Sequence, residues 1–262
     1  MSTPLPPSPS NSPLVMAPAA TALPLGQDYS FRQDFKYRYR ANPYQEKLKS
    51  FSSFVLQDHE GEQFCGRWAE VFDNQNPLVV EVGAGYGDFM ADYCLHHPQE
   101  NYVAIDYRFR RSLSVAQHLA KLSSAKNGVV NFRYLRAKGE RIGFLFGPGE
   151  VAKIFIFFPD PWPKLRHHKK RLINPYYLSL LHKILVPGGE IWIKTDHDDY
   201  AEWMRQAFAA QNDLSLTWQT VDLYQEYPQH PLAQFQTKFE KIFLQQAIKI
   251  KAFILRKSPC HA

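Results

Sequence analysis

Cysteine is scarce in this 262-residue chain; Cys65, Cys94 and Cys260 are odd in number and form no CxxC pair. That excludes a disulfide framework and a cysteine-rich zinc site, and it fits a reducing compartment, so a cytoplasmic protein is expected. No run of 18 apolar residues occurs, which excludes a membrane-spanning helix. The first 27 residues hold no charge and seven prolines. A secretory signal needs a basic start and an unbroken apolar stretch, and this segment has neither. Proline at that density predicts a disordered tail over 1–27. No internal repeat is evident. What remains is ordinary globular composition, 45% hydrophobic and 21% charged, with a net charge of +6.

That surplus is concentrated. Residues 29–49 carry six Lys or Arg against Asp34 and Glu46; residues 159–171 carry five against Asp160; residues 238–257 carry six against Glu240. Together these stretches hold +13, so the rest of the chain carries −7. Basic clusters of this kind suit an acidic partner such as nucleic acid.

The centre of the chain alternates between apolar runs and helical patterns. Strands are expected over Pro77–Val82, Tyr102–Ile105, Phe132–Leu135, Lys153–Phe158 and Glu190–Lys194, with two more over Leu214–Asp222 and Lys249–Lys257. Helices follow the glycine loop after Val82 and the acid Asp106. Another begins at Asn174-Pro175, an N-cap with proline in the first turn, and is stopped by Pro187-Gly188-Gly189; a further one spans Asp198–Gln211. Strands alternating with helices of ten to fifteen residues imply an α/β fold, a mostly parallel sheet with helices on both faces.

After the first strand comes Glu81-Val82-Gly83-Ala84-Gly85-Tyr86-Gly87. Alternate glycines permit a tight turn and close approach of backbone to a ligand. Asp106 closes the next strand 21 residues after Gly85, where a carboxylate can accept ribose hydroxyls. The loop lacks the third glycine of the dinucleotide fingerprint and the Lys-Ser/Thr of a phosphate loop, and Glu81 would repel phosphate but could engage an ammonium. S-adenosylmethionine offers ribose hydroxyls, an amino group and no phosphate.

The fourth strand runs into Phe158-Pro159-Asp160-Pro161-Trp162-Pro163-Lys164. Three prolines in five residues hold Asp160 in a fixed direction. One carboxylate can accept both N1–H and N2–H of guanine. Lys164, Arg166, His167, His168, Lys169, Lys170 and Arg171 follow and would attract phosphate oxygens. The paired histidines lack an acid or cysteine at ligand spacing, so no metal is expected. Lys194-Thr195-Asp196 ends the next strand; Asp196 is either a neighbour of Asp160 at the sheet edge or a helix cap. Thr237 and Glu240 have the spacing of a capping box.

The run FPDPWPKLRHHKKRL at 158–172, with PGGEIWIKTDHDDYAEWM at 187–204 and TKFE at 237–240 in the same order, resembles the bacterial tRNA (guanine-N7-)-methyltransferases over roughly residues 75–257. The resemblance implies a Rossmann-like class I methyltransferase with a seven-stranded sheet. It implies methyl transfer from S-adenosylmethionine to N7 of a guanine in the tRNA variable loop, by a monomer or homodimer. Domain boundaries follow: a tail over 1–27, a basic arm and helical segment over 28–74, the methyltransferase domain over 75–257 and a tail over 258–262. By the same resemblance Glu81, Gly83, Gly85 and Asp106 contact the cofactor, and Asp160 is catalytic or positions the guanine. Lys164, Asp196, Thr237, Lys238, Phe239 and Glu240 are substrate-binding, and 165–171 contacts RNA. Lys138 departs from the pattern, standing near the adenine where the family usually has Asp or Asn; Glu140 or backbone carbonyls would have to accept in its place. Two other readings are a methyltransferase acting on an exocyclic amine and an RNA-binding protein that has lost its cofactor.

Overall fold

The computed structural model describes residues 42–123 and 131–259. The proline-rich tail, the arm as far as residue 41 and Cys260 lie outside the described residues. In chain order the elements are α1 (Pro43–Lys49), β1 (Val55–Gln57), α2 (Trp68–Phe72), β2 (Leu78–Val82), α3 (Asp88–His96), β3 (Asn101–Asp106), α4 (Phe109–Ser123), β4 (Phe132–Arg136) and α5 (Ile142–Leu145). They continue with β5 (Val151–Phe157), α6 (Pro175–Ile184), β6 (Leu185–Thr195), α7 (Asp198–Ala209), β7 (Leu214–Thr220), α8 (Leu223–Glu226), α9 (Pro231–Gln234), α10 (Lys238–Gln245) and β8 (Lys251–Lys257).

One sheet runs in the order β1-β4-β3-β2-β5-β6-β8-β7, with β8 antiparallel to both neighbours and the other pairings parallel. The expected α/β fold with a mostly parallel sheet is present, with eight strands rather than seven. The additional strand, β1, pairs Val55 with Tyr134 and Gln57 with Arg136. Three residues are too few for alternation to register in sequence; Phe54, edge-on to Phe132 at 5.4 Å, secures the segment from outside the strand.

Successive strand residues alternate between two cores. Val80, Val82, Ile154, Ile156, Ile191 and Ile193 pack with α5, α6 and α7 on one face. Val79, Ala104, Phe155 and Phe157 pack with α3 and α4 on the other. The Asn174 side chain caps α6 by accepting from the Tyr177 amide at 3.0 Å, with Pro175 in the first turn as expected. The helix ends at Ile184, before Pro187-Gly188-Gly189. Leu185 already pairs with Val151, the glycine-rich stretch bulges out, and pairing resumes at Lys153 with Glu190.

Lys194, near the end of β6, and Glu240, in the first turn of α10, are both completely buried. The Lys194 Nζ lies 2.8 and 2.6 Å from the two Glu240 oxygens and 3.1 Å from the Leu232 carbonyl. Tyr224 donates to Glu240 at 2.9 Å, and Glu240 completes the capping box with Thr237. Burial pulls the lysine below its ordinary range while the carboxylate opposes that shift. A buried pair loses little when replaced whole by apolar side chains but much when one partner is removed. Lys194→Met should therefore destabilise the protein by about 3–5 kcal/mol in urea denaturation, and Lys194→Met with Glu240→Leu should recover most of that loss.

Candidate active site

Between β2 and β5 the chain changes direction across the sheet: β3 and β4 add on one side, β5 and β6 on the other. Loops diverge from the carboxyl ends of strands at such a switch point and leave a crevice. Here it is a cavity of about 570 Å³. The loops after β2, β3, β4, β5 and β6 and the start of α10 all contribute to its wall.

Gly83, Gly85 and Gly87 all have positive φ (84°, 59° and 74°), so each resists replacement for backbone reasons. Their surroundings separate their roles. A Cβ on Gly83 would meet nothing within 4 Å, so this part of the loop stays open to a ligand. On Gly87, the residue capping α3, a Cβ would lie 2.9 Å from Val115, so that glycine also permits close packing against α4. The carboxylate of Asp106, which lines the cavity, is held by the amides of Gly85 (3.1 Å) and Arg108 (3.0 Å) and pairs with Arg111 at 3.5 Å. Glu81 replaces an apolar residue on the second core face of β2. It is 2% exposed, accepts from the Tyr102 hydroxyl at 2.9 Å, and is pushed up to about 7 by burial. Such a group has strong electrostatic reason to meet a cation.

Asp160, in the loop after β5, is exposed and lines the cavity, and half-buried Asp196 lines the same space. The cap of α7 is His197, whose ring accepts from the Tyr200 amide at 3.3 Å, so Asp196 is not committed to that role. Lys251 holds the Asp196 carbonyl at 3.0 Å and pairs with Asp198 at 2.6 Å, fixing the turn after β6. At the mouth, the Lys238 Nζ lies 4.7 Å from the centre of the Tyr86 ring, so α10 reaches across to the glycine loop.

Eleven of the residues expected at the site thus share one cavity: Glu81, Gly83, Gly85, Asp106, Lys138, Asp160, Lys170, Asp196, Thr237, Lys238 and Phe239. Lys138 stands 5.3 Å from the Tyr107 ring, with Glu140 on the same wall. Lys164, Arg166, His167, His168 and Lys169 lie on or beside the 3-10 turn Leu165–Lys170, outside the cavity lining. Two expectations need correction. Glu240 does not face the cavity, because its oxygens are taken by Lys194, Tyr224 and Thr237. Arg171 is 2% exposed and is not placed to touch a phosphate. The basic stretch 238–257 is also largely answered within the protein: Lys249 pairs with Asp222, Lys251 with Asp198 and Arg256 with Glu190. Conversely, Tyr86, Arg108 and Arg111 line the cavity. The arginines stand directly after Asp106 in Asp-Tyr-Arg-Phe-Arg-Arg, a local cluster that charge counting over longer windows averages away. Among the described residues no group of three or more His, Cys, Asp or Glu side chains is arranged to hold a metal, and no helix is long and apolar enough to cross a membrane.

A family model described as a putative methyltransferase matches residues 75–252. The tRNA (guanine-N(7)-)-methyltransferase of Listeria welshimeri is 34% identical over 195 residues, which cover 74% of this chain and 87% of that protein. The chain belongs to the tRNA (guanine-N(7)-)-methyltransferase family. The member from Malacoplasma penetrans is 31% identical over 216 residues, covering 82% of this chain and 96% of its own length. Among solved structures, the 16S rRNA methyltransferase KamB superposes with a TM-score of 0.54 at 16% identity, over 73% of this chain and 93% of that one. That likeness concerns the fold, which is the class I methyltransferase fold expected from the family.

The elevated Glu81 has a consequence for stability. Between about pH 4.5 and 7 the folded protein keeps a proton that the unfolded chain has released. Its contribution to stability is complete below 4.5 and lost as pH rises through 7. The stability of the wild type relative to Glu81→Gln should fall by on the order of 2–3 kcal/mol between pH 5 and 8 in urea denaturation. A difference that does not change with pH would mean that Glu81 ionises like a surface glutamate.

Proposed function

We propose that this protein methylates N7 of a guanine in the variable loop of tRNA, using S-adenosylmethionine, and that it does so in the cytoplasm with residues 75–257 as its catalytic domain. The observation that carries the reading is that one cavity is lined by two chemically different sets of residues. In the first, the open glycine loop, Asp106 and the buried Glu81 suit a nucleoside bearing an ammonium. In the second, Asp160 and Asp196 suit the donor edge of a purine.

The fit to the cofactor rests on those features. Beside its two amide bonds and the Arg111 pair, the Asp106 carboxylate keeps capacity to accept from a ribose hydroxyl, and Glu81 would become fully ionised against the amino group. When bound, S-adenosylmethionine supplies an electrophilic methyl group. N7 of guanine carries a lone pair and no proton, so this chain needs no general base. Its residues have to orient the base and answer the positive charge that develops on the purine. Asp160 and Asp196 do both: they accept from the Watson–Crick edge, and their negative charge faces the purine in the cavity. Trp162 lies on the same rim and offers a stacking surface for a base turned out of its loop. Lys164, Arg166, Lys169 and Lys170 are exposed beside the mouth, where phosphates of the flanking nucleotides would run.

Nucleoside analysis of tRNA incubated with the protein and labelled cofactor should find the label in N7-methylguanosine. Asp160→Asn should lower kcat by about 100-fold or more and leave tRNA affinity near that of the wild type. Label on an exocyclic amine, or an undiminished kcat in that variant, would overturn the assignment.

A further inference from the structure

The loop that presents Asp160 is not settled by its own backbone. Phe158 and Trp162 stand at φ 51° and 44°, in the left-handed region that bulky side chains avoid. Such residues persist only where the surroundings over-determine them. The Phe158 amide donates to the Lys194 carbonyl at 2.8 Å, but Pro159, Pro161 and Pro163 remove three amide donors from the residues that follow, so beyond Phe158 the segment depends largely on its carbonyls and rings.

Arg171 supplies that hold. Its Nε donates to the Pro161 carbonyl at 2.8 Å, one residue beyond Asp160. Its guanidinium lies 5.0 Å from the ring centres of both Tyr200 and Trp203, which stand on α7. Among the described residues it forms no ion pair, and its buried Nη2 finds no hydrogen-bond partner, so two aromatic faces and one carbonyl are its main partners. The chain just after it is stitched to the same helix. Tyr200 accepts from the Ile173 amide at 3.0 Å, and Trp203 donates to the Ile173 carbonyl at 2.9 Å. Asn174 donates to the Arg171 carbonyl at 3.0 Å. Since α7 begins two residues after Asp196, one side chain links the loop of the first cavity carboxylate to the helix that follows the second.

We infer that Arg171 is a positioning residue, which fixes Asp160 relative to Asp196 by bridging the Pro161 carbonyl to the rings of Tyr200 and Trp203. The inference rests on the functional reading given above, in which the two carboxylates share the guanine. A rigid separation matters there because small misplacements of a reacting base cost large factors in rate. The role is distinct from that of the exposed cations Lys164 to Lys170, which belong to the phosphate-facing rim.

Arg171→Lys tests it in the full-length protein. Lysine keeps the charge but has neither the planar surface for two rings nor an Nε donor at that position. The expected result is a kcat lowered about 10- to 100-fold, with the affinity for S-adenosylmethionine within about twofold of the wild type. The slope of log tRNA affinity against log salt should be unchanged, because no phosphate contact is lost. In Arg171→Ala, millimolar guanidinium ion should restore part of the lost turnover. The proposal is overturned if the salt slope drops by about one while kcat is retained, which would mark a phosphate contact. It is equally overturned if both variants lose cofactor binding and thermal stability together and guanidinium restores nothing, which would mark a purely structural side chain. Absence of N7-methylguanosine with the wild-type protein would count against the functional reading and is seen before any variant is made.

Discussion

The site depends on a lysine and a glutamate that water does not reach. Lys194 projects from the last turn of pairing in β6, two residues before Asp196, and Glu240 from the first turn of α10. Two desolvated charges are tolerable only as a pair whose remaining donors and acceptors are satisfied. The Leu232 carbonyl, the Tyr224 hydroxyl and the Thr237 amide supply those partners. Because they come from the sheet, α8, the segment at α9 and α10, the pair draws four parts of the chain to one point. Thr237, Lys238 and Phe239 reach the cavity as a result, while Glu240 itself does not.

Buried charge takes a different form at Glu81. Among the described residues Tyr102 donates to its carboxylate and no cation lies in hydrogen-bond contact with it, and burial holds its proton to about pH 7. Glu240 is committed to the fold, whereas Glu81 retains an unmet electrostatic demand inside the cavity. The same residue type is thus ion-paired at one position and holds its proton to about pH 7 at the other, and neighbouring groups decide which. Arg171 extends the pattern, since the rings of Tyr200 and Trp203 flank its guanidinium while its Nε donates to a carbonyl of the Asp160 loop.

The net charge of +6 conceals a similar sorting. Strands β6 and β8 and their flanks consume Lys194, Lys249, Lys251 and Arg256 in internal pairs. Exposed cations are spread over the surface, Lys49, Arg67, Lys121 and Lys183 among them, and one group, Lys164, Arg166, Lys169 and Lys170 with Arg108, adjoins the cavity. On the functional reading proposed above, a polyanion would meet the protein beside that group, near Asp160 and Asp196.

Much of this was legible in residues alone, because short-range rules act on contiguous sequence. Hydrophobic alternation and turn residues placed seven of the eight strands. The Asn174-Pro175 cap, the Thr237–Glu240 box, the glycine loop and the acid closing β3 were readable for the same reason, as was the family likeness of the Pro-Asp-Pro-Trp run. The three-residue β1 was not, since its pairing with β4 comes from packing across more than 75 residues of chain. Nor could sequence separate a phosphate-binding cation from a buried one within Arg166–Arg171, or a substrate-facing carboxylate from an ion-paired one at Glu240. Those distinctions depend on which side chains the sheet brings within hydrogen-bonding distance from remote positions, and burial, not residue type, sets what a charge can do.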